Sequence, residues 1–520
     1  MDHASPPAAF VALGDLISAT ARQTPDRPAV IDGSETLSYG QLDELSRRVA
    51  AGLMRDGSGI GSAAALCAAN SAAYVAVFVG AVRAGVAAVP LPVSATPDAL
   101  RRMLNDSGAR HLFADASVPS FVDEAARGGT TLVRLDEGTA AMDAWLPPAS
   151  PAAPMPALPA LRGEEACNII YSSGTTGMPK GIVQSHLMRW LHVRRGMTQK
   201  YGPESVVLLS TPLYSNTTLV SLFAGLGAGS TIVLMRKFDT RQFLELSERH
   251  RVTHAMLVPI QYRRLLDSPD FDRCDLSSFQ MKFSTGAPFP PALKAEVLRR
   301  WPGGLIEMYG MTEGGVSAFL PAHEFPDKLH TVGRPAPGCQ FRIIGPSGED
   351  LPRGQPGEVV GHTAATMTGY HGRPDLTDAV FWTGPDGLRY LRSGDVGYFD
   401  EDGFLVLCGR IKEMIISGGF NIYPGDLEAV LLKHPAVKDA AVVGVPSAQW
   451  GETPVAFVAL ADGSEATPQA LRQWANEQLG RTQRLSDLHV LPSLPRNAAG
   501  KVQKPVLREQ WTRLNEPAPR

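Results

Sequence analysis

Hydrophobic positions in residues 16–93 follow two patterns that alternate along the chain. Leu42, Leu45, Val49 and Leu53 recur every three or four positions, which predicts a helix with one apolar face. The short apolar runs AALCA and AAVPLPV are typical of buried strands. Helices and strands in alternation predict an α/β layered domain with parallel strand pairing.

The same alternation returns beyond residue 205 and changes near the C-terminus. It runs through the strand-like VVLLS, TIVLM and HAMLVP and the helical SLFAGLGAG and FLELSERH. Glycine-rich β segments follow at residues 332–407. The helical DLEAVLLKHPAV and PQALRQWANEQL then flank the strand-like DAAVVGVP and TPVAFVAL. The sequence therefore predicts an α/β protein, with a large N-terminal domain of α/β layers plus a β-rich subdomain at residues 1–410 and a small α+β C-terminal domain at residues 411–520.

Composition and charge narrow the class of partner. The chain has 520 residues, 44% hydrophobic and 19% charged, so more than one globular domain is expected. A formal net charge of −3 gives no overall basic field for nucleic acid, which favours a small-molecule partner. Five scattered cysteines without a CxxC pair indicate reduced thiols. The N-terminus lacks the features of a signal peptide, and Arg83 interrupts the most apolar stretch, so we expect a cytoplasmic protein without a membrane span.

The segment YSSGTTGMPKG at residues 171–181 is the sharpest local signal. Its glycines let the backbone approach an anion closely, while its hydroxyl groups and its lysine suit a polyphosphate. The spacing is not that of a Walker loop, which excludes a P-loop kinase, and a polar surface turn is the alternative for an isolated cluster. The predicted phosphate-binding residues are Ser172, Ser173, Gly174, Thr175, Thr176, Gly177 and Lys180.

This segment resembles the phosphate-loop signature of the acyl-adenylate-forming superfamily. The superfamily comprises acyl-CoA synthetases, firefly-type luciferases and the adenylation domains of nonribosomal peptide synthetases, and the chain is most like the acyl-CoA synthetases. The resemblance covers nearly the whole chain, because further motifs follow in the family's order. It implies a large N-terminal domain, a mobile C-terminal lid domain, and the use of ATP, Mg²⁺ and coenzyme A with a small carboxylic acid.

Three further motifs resemble the nucleotide-binding segments of that superfamily. STGAP at residues 284–288 resembles the adenine-binding loop. MYGMTEG at residues 308–314 resembles the central adenylate motif, whose tyrosine would stack on adenine. RSGDVG supplies Asp395 for the ribose hydroxyls. The residues implied in nucleotide binding are Gly286, Ala287, Pro288, Tyr309, Gly310, Met311, Thr312, Asp395, Arg410 and Lys501. Thr312 and Glu313 are the implied Mg²⁺ ligands, although in isolation a Thr-Glu pair would be explained as a helix cap.

The C-terminal part carries the residues that the resemblance assigns to the lid. Lys412 lies at the hinge position, where a solvated basic pair is the alternative, and Lys501 would reach the substrate carboxylate and the α-phosphate during adenylation. Two adjacent glycines would line the tunnel for the thiol, because backbone without side chains lets a pantetheine arm pass closely. The implied CoA-facing residues are Gly418, Gly419, Phe420 and Trp450, although a tryptophan there is more typical of a core.

The acyl pocket is the least determined part of the site. By resemblance it is lined by Tyr214, Ser215, Asn216, Met308, Gly310 and Gly315. Many members have a histidine where this chain has Ser215, so the smaller serine leaves room for a bulky or substituted acid. The segment TPLYSNTT has no carboxylate to pair with an ammonium group, which disfavours amino acids. We therefore expect an aromatic or a medium-chain or branched acid.

These motifs predict an acyl-CoA synthetase that forms acyl-AMP and pyrophosphate from ATP and then passes the acyl group to coenzyme A. The implied catalytic residues are Lys501, Thr175, Thr176 and Glu313. A stand-alone adenylating enzyme that loads a carrier protein, and an acyl-AMP ligase that uses no CoA, are alternatives within the fold. A luciferase-like oxygenase and a non-catalytic nucleotide-binding regulator also stay open, as does a homodimer.

Overall fold

The computed structural model describes residues 9–33, 35–118, 121, 129–136, 138–148, 156–172, 179–417, 420–481, 483–497 and 500–515. The chain forms two compact units. The N-terminal unit comprises Met1–Leu329, Ala336–Cys339 and His362–Leu391, and the C-terminal unit comprises His330–Pro335, Gln340–Gly361 and Arg392–Arg520. The boundary expected between residues 410 and 411 stays a prediction.

Helices of the N-terminal unit cover the faces of its sheets. They are α1 (Leu13–Gln23), α2 (Tyr39–Arg55), α3 (Ala72–Arg83), α4 (Pro97–Ser107), α5 (His186–Thr198), α6 (Asn216–Gly227), α7 (Thr240–Arg249), α8 (Pro259–Leu266), α9 (Pro291–Arg300) and α10 (Pro374–Ala379). The helix predicted from Leu42, Leu45, Val49 and Leu53 is α2, and these four side chains are buried. The capping box of Ser38 with Gln41 starts it.

The first sheet of the N-terminal unit is mostly parallel. Its strands are β1 (Pro28–Asp32), β2 (Glu35–Ser38), β9 (Val206–Leu209), β10 (Thr231–Leu234), β11 (His254–Leu257), β12 (Met281–Ser284), β13 (Gly304–Gly310) and β14 (Ser317–Pro321). The order is β14-β13-β12-β11-β9-β10-β1-β2. Neighbours from β13 to β1 are parallel, whereas β14 pairs antiparallel with β13 and β2 pairs antiparallel with β1.

The second sheet of this unit contains the hairpin that leads into the predicted phosphate loop. Its strands are β3 (Ala63–Cys67), β4 (Ala87–Pro90), β5 (His111–Ala114), β6 (Thr131–Arg134), β7 (Ala166–Ser172), β8 (Lys180–Ser185) and β18 (Gly369–Tyr370). The order is β18-β8-β7-β4-β3-β5-β6, with β8 antiparallel to both of its neighbours. The predicted α/β class with parallel pairing is confirmed.

The most apolar stretch of the sequence is a core helix of the N-terminal unit. Every residue of α3 is buried, because the helix packs against α2 and lies over the sheet. Buried Arg83 at its end is paired with Asp43 at 2.5 Å and donates to Ser18 Oγ at 3.0 Å. In the part of the chain that the structure describes, no helix is long and apolar enough to cross a bilayer.

The C-terminal unit contains two small sheets. Short strand β15 (Arg334–Pro335) belongs to this unit, whereas β19 (Phe381–Thr383) and the first residues of β20 (Arg389–Phe399) belong to the N-terminal unit. The further elements are β16 (Gln340–Ile344), β17 (Gly357–His362), β21 (Leu405–Arg410), β22 (Ile415–Ser417), β23 (Phe420–Ile422), α11 (Pro424–Leu431), β24 (Val437–Ser447), β25 (Gly451–Leu460), α12 (Pro468–Gln478), β26 (Asp487–Val490) and α13 (Lys504–Asn515). The predicted strands are β24 and β25, and α12 is the predicted second helix. The helix predicted for DLEAVLLKHPAV ends early, at Leu431, because Pro435 disfavours helical backbone in the residue before it.

Candidate active site

Three of the predicted binding segments meet at one edge of the large sheet. Strands β9, β12 and β13 run parallel within it, so their carboxyl ends lie on the same side. The chain leaves β9 toward Tyr214–Asn216, leaves β12 toward Gly286–Pro288, and ends β13 at Gly310. The carboxyl edge of an open α/β sheet is where such folds bind ligands. The predicted acyl, adenine and adenylate segments are therefore neighbours.

The β7–β8 hairpin carries the predicted phosphate loop. Ser172 and Lys180 face each other as the last described pair of its antiparallel ladder. Both are half-buried. Ser173, Gly174, Thr175, Thr176 and Gly177 lie outside the described residues, so their predicted roles remain untested.

Tyr370 connects Lys180 to the predicted Mg²⁺ ligand Glu313. It lies on β18, paired with Ile182 of β8. The Lys180 ammonium lies 5.0 Å from the centroid of its ring, and its hydroxyl donates to Glu313 Oε1 at 3.0 Å. Burial, and then the Glu313 charge, raises the pKa of Tyr370 well above its ordinary value, so the phenol stays a donor. No local sequence pattern indicated Tyr370, which is 57 residues from Glu313 in the chain.

The turn that carries Thr312 and Glu313 is held tightly by the backbone. Met367 N–H donates to Glu313 O at 2.7 Å. Gly314 has φ +73°, and a Cβ there would lie 2.0 Å from Ala365 O, so only glycine fits.

The donor set of this turn suits a hard cation. Thr312 Oγ1 and Glu313 Oε2 accept or donate no hydrogen bond within the described parts of the chain. A hydroxyl and a carboxylate oxygen beside substrate phosphates are the ligands that Mg²⁺ takes in nucleotide sites. These residues therefore fit Mg²⁺, although their role as its ligands stays a prediction.

The predicted acyl segment begins α6. Ser215 is its N-cap residue, without a capping hydrogen bond from its side chain, and Tyr214 Oη lies 3.5 Å from Ser94 Oγ. Met308 lies on β13, opposite Phe319 of β14. All the described side chains of the TPLYSNTT segment are uncharged, so the segment offers no partner for an ammonium group.

Asp395 and Arg410 form an ion pair inside the C-terminal unit. They face each other on the antiparallel strands β20 and β21, with Arg410 Nε 2.8 Å from Asp395 Oδ1. The Asp395 carboxylate is mostly buried, whereas the guanidinium is half exposed. The sequence predicted that Asp395 meets the ribose and that Arg410 meets the ribose or a phosphate, and the structure brings these two residues together.

Two of the predicted CoA-facing residues, Phe420 and Trp450, are exposed apolar side chains on the C-terminal unit. The side chains of Phe420 and Trp450 are 57% and 51% exposed, and Ile416 of β22 is similarly exposed. Ser417 of β22 pairs with Gly451 of β25, which brings the two segments side by side. The alternative that Trp450 is a core residue is therefore wrong. Gly418 and Gly419 lie outside the described residues.

Lys504, a half-buried lysine, connects the segment of the predicted hinge residue Lys412 with α11. Lys412 is exposed, and its neighbour Glu413 accepts from Lys504 Nζ at 2.9 Å. The same ammonium binds Glu428 at 2.9 Å, so although burial opposes it, the two carboxylates raise the pKa of Lys504. Lys501 is exposed at a turn in which its N–H donates to Asn497 Oδ1 at 3.0 Å. No sequence pattern indicated the contacts of Lys504 with Glu413 and Glu428.

Comparison with known proteins agrees with this arrangement. The AMP-binding enzyme model matches residues 17–371, and the AMP-binding enzyme C-terminal domain model matches residues 426–501. The chain is 34% identical to 4-coumarate–CoA ligase 5 of Oryza sativa subsp. japonica, over 93% of this chain and 91% of that protein. It is 32% identical to the fatty acid–acyl-carrier-protein ligase ScoC of Streptomyces coeruleorubidus, over 94% and 95% of the two chains. The solved structure of ATP-bound MatB from Rhodopseudomonas palustris matches with a TM-score of 0.86 at 27% identity, over 97% and 100%.

These matches confirm the resemblance drawn from the sequence motifs. The first model covers the predicted phosphate, adenine, adenylate and acyl segments, and the second covers Trp450 and Lys501. The predicted residues between 395 and 420 lie between the two models, but the relatives span almost the whole chain. ATP, Mg²⁺ and coenzyme A are the cofactor and cosubstrates of the acid–thiol ligases in this group. The chain therefore belongs to the AMP-binding enzyme family and is an AMP-forming acid–thiol ligase.

Proposed function

We propose that this enzyme is an acyl-CoA synthetase for an aromatic or a medium-chain or branched carboxylic acid. The observation that carries the proposal is the meeting of the acyl, adenine and adenylate segments at the carboxyl edge of the large sheet. An acid bound beside Tyr214–Asn216 would lie next to a nucleotide bound by Gly286–Pro288 and Tyr309. This is the juxtaposition that an acyl-AMP requires.

In the first half-reaction, a carboxylate oxygen of the acid attacks the α-phosphorus of ATP, and pyrophosphate leaves. The barrier is electrostatic, because an anion approaches a polyanion. Lys180 offers a fixed positive charge beside the phosphate loop, held in place over the Tyr370 ring. Mg²⁺, when bound by Thr312 and Glu313, supplies further charge neutralisation. Lys501 is proposed to contact the carboxylate and the α-phosphate from the lid.

In the second half-reaction, the coenzyme A thiol attacks the acyl carbonyl, and AMP leaves with its phosphate oxygen. A thiol has an ordinary pKa of about 8.5, so a minor thiolate fraction meets an already activated acyl group. We assign the thiol's entry to Gly418 and Gly419 and the contact with the CoA base to Phe420 and Trp450. The large exposure of these two rings supports the assignment, since exposed aromatic side chains are typical of binding surfaces.

The choice of acid follows from the walls of the pocket. Ser215 is small, and Tyr214 and Met308 add apolar surface suited to a flat or branched group. The uncharged segment from Thr211 to Thr218 disfavours an amino acid substrate. The similarity to 4-coumarate–CoA ligase supports an aromatic acid.

Similarity to a ligase for an acyl-carrier protein favours a second candidate acceptor. The relative ScoC acts with a carrier protein, by its name, and covers nearly all of this chain. An acyl transfer to the phosphopantetheine of a carrier would use the same thiol chemistry and the same adenylate. We assign the enzyme to the cytoplasm, where the five free thiols would stay reduced, and a homodimer remains a prediction.

A pyrophosphate-release screen tests the proposal. The purified enzyme is given Mg²⁺·ATP and a panel of aromatic, medium-chain, branched and amino acids, with and without CoA, and products are identified by mass. We expect pyrophosphate release with aromatic, medium-chain or branched acids and an acyl-CoA product only with CoA. If the acyl group of acyl-AMP is transferred to a carrier protein but not to CoA, the carrier protein is the acceptor instead of CoA. If pyrophosphate release is greatest with amino acids, the assignment of the acyl pocket is contradicted.

A further inference from the structure

Three polar side chains form a cluster in the interior of the N-terminal unit, behind the carboxyl edge of its large sheet. Asn168 of β7, Gln184 of β8 and Arg189 of α5 are 0%, 0% and 1% exposed. Asn168 and Gln184 face each other across the antiparallel hairpin, and Arg189 lies in the first turns of the helix that follows β8. Polar side chains are rarely buried so completely without a role in binding or in fixing a conformation.

The cluster holds a guanidinium without a carboxylate. Arg189 Nε donates to Asn168 Oδ1 at 2.8 Å, Arg189 Nη2 donates to Gln184 Oε1, and Arg189 Nη1 lies 3.3 Å from His192 Nδ1. Over the described ranges, no aspartate or glutamate pairs with this guanidinium. Burial lowers the pKa of Arg189 to about 10, so it is still charged at neutral pH. Its charge is therefore solvated mainly by the two amide oxygens.

Gln184 links this charge to the active site. Its Oε1 also accepts from Asn168 Nδ2 at 2.9 Å, while its Nε2 donates to the carbonyl oxygen of Thr312 at 2.6 Å and to Asn216 Oδ1 at 3.3 Å. Thr312 belongs to the nucleotide segment after β13, and Asn216 to the acyl segment at the start of α6. One amide group thus binds both segments at once.

We propose that Gln184 is a positioning residue that sets the distance between the nucleotide segment at Thr312 and the acyl segment at Asn216. Arg189 strengthens its action, because a charge-assisted hydrogen bond to the amide oxygen polarises the amide and makes its N–H groups better donors. Asn168 donates to the same oxygen as a neutral and therefore weaker partner. The inference rests on the proposed roles of Thr312 and Asn216, and it adds a buried side chain that controls their relative position.

Two nearly isosteric variants separate this role from a purely structural one. Gln184→Glu keeps the acceptor oxygen near Arg189 but loses both N–H donors, so the bonds to Thr312 and Asn216 are broken. Asn168→Asp also places a carboxylate beside Arg189 and loses the neutral bond from Asn168 Nδ2 to Gln184 Oε1. It keeps both N–H donors of Gln184 and the Arg189 bond to its oxygen, so the bonds to Thr312 and Asn216 are retained. The pair is therefore matched in buried charge and differs in the contact with the active site. Gln184→Met, neutral and of similar length, replaces Gln184→Glu if that variant does not fold.

The first measurement is independent of the acid substrate. Binding of α,β-methylene-ATP is followed by calorimetry with and without Mg²⁺, in the full-length protein. We expect Gln184→Glu to weaken the Mg²⁺-dependent binding by roughly tenfold and to leave the Mg²⁺-free binding within about threefold, as expected for the loss of one or two hydrogen bonds. Asn168→Asp should stay within about threefold in both.

The second measurement follows pyrophosphate release with each acid that the unchanged enzyme activates. We expect Gln184→Glu to raise KM for the acid and to lower kcat, together by roughly 10–100-fold, with Asn168→Asp again near the unchanged enzyme. Equal losses in the two variants, or no loss in Gln184→Glu, would overturn the proposal and leave the cluster a structural one. If the unchanged enzyme activates none of the acids, the proposed function is wrong. The binding of α,β-methylene-ATP then still tests the role of Gln184.

Discussion

Replacement of Tyr370 by phenylalanine perturbs a single hydrogen bond of the candidate site. The ring and its contact with Lys180, 5.0 Å from the ring centroid, are kept, whereas the hydroxyl that donates to Glu313 Oε1 at 3.0 Å is lost. Glu313 then has one fewer partner to fix its carboxylate. If Glu313 is a Mg²⁺ ligand, adenylation should fall because the ligand is less well oriented.

The size of the effect follows from the charge and exposure of the acceptor. A hydrogen bond to a charged group contributes about 1.5–3 kcal/mol net, which corresponds to about 10–150-fold in rate. Glu313 is half-buried, so water can replace the lost hydroxyl, and the lower end applies. We therefore expect adenylation to fall by about tenfold and half-saturating Mg²⁺ to rise by a similar factor.

Tyr390→Phe is the matched control for Tyr370→Phe. Tyr390 belongs to the same unit, and its hydroxyl also donates to a carboxylate, Asp386 Oδ2, at 2.8 Å, but that carboxylate is not a predicted site residue. Pyrophosphate release is measured for both variants across a range of Mg²⁺ concentrations. Activity of Tyr370→Phe within about twofold of the unchanged enzyme, or an equal loss in both variants, would refute the reasoning.

Three further substitutions test other parts of the account. Gly314→Ala should lower the free energy of unfolding by about 1–3 kcal/mol more than Gly57→Ala. Both glycines have positive φ, but only a Cβ at Gly314 would meet a backbone oxygen. Denaturant unfolding measures both losses, and equal losses would contradict the prediction. Lys501→Ala should abolish acyl-AMP formation yet largely spare thioester formation from supplied acyl-AMP, so equal loss of both half-reactions would refute that division of roles. Lys504→Met should lower the free energy of unfolding by about 1.5–3 kcal/mol or more, because it removes a partly buried ammonium from two glutamates. Lys438→Met removes an exposed ion pair of 3.7 Å and should lower it by at most about 1 kcal/mol. Similar losses in the two variants would contradict the link between Lys504 and the segment of Lys412.

The layered fold and the order of the binding segments follow directly from the sequence. Parallel strands buried on both faces require continuous apolar runs, and VVLLS, TIVLM and HAMLVP all became strands of the large sheet. The glycine-rich loops are recognisable because their chemistry is local. The end of α11 was misjudged, since the apolar spacing continues past Leu431 while Pro435 does not permit the helix to follow it.

The residues that the sequence did not reveal act through contacts distant in the chain. Tyr370 reaches Lys180 only because β18 pairs with β8, a pairing that no local pattern announces. Gln184 and Arg189 stand in segments whose polar positions are equally compatible with a solvated face. Trp450 was expected to be a core residue, because an aromatic side chain between two strands is typical of a hydrophobic core. Its position beside β22 leaves it exposed. For these four residues, contacts between segments distant in the chain determine the environment of the side chain, and the periodicity of the sequence does not.

Formation of a covalent adenylate is the most direct test of the central claim. The enzyme is incubated with Mg²⁺ and ATP labelled at the α-phosphate, together with single acids from the panel and without CoA, and the labelled products are separated. The account predicts labelled acyl-AMP with at least one aromatic, medium-chain or branched acid, and its disappearance with release of labelled AMP when CoA is added. Folded enzyme that yields no labelled adenylate with any of these acids would contradict it.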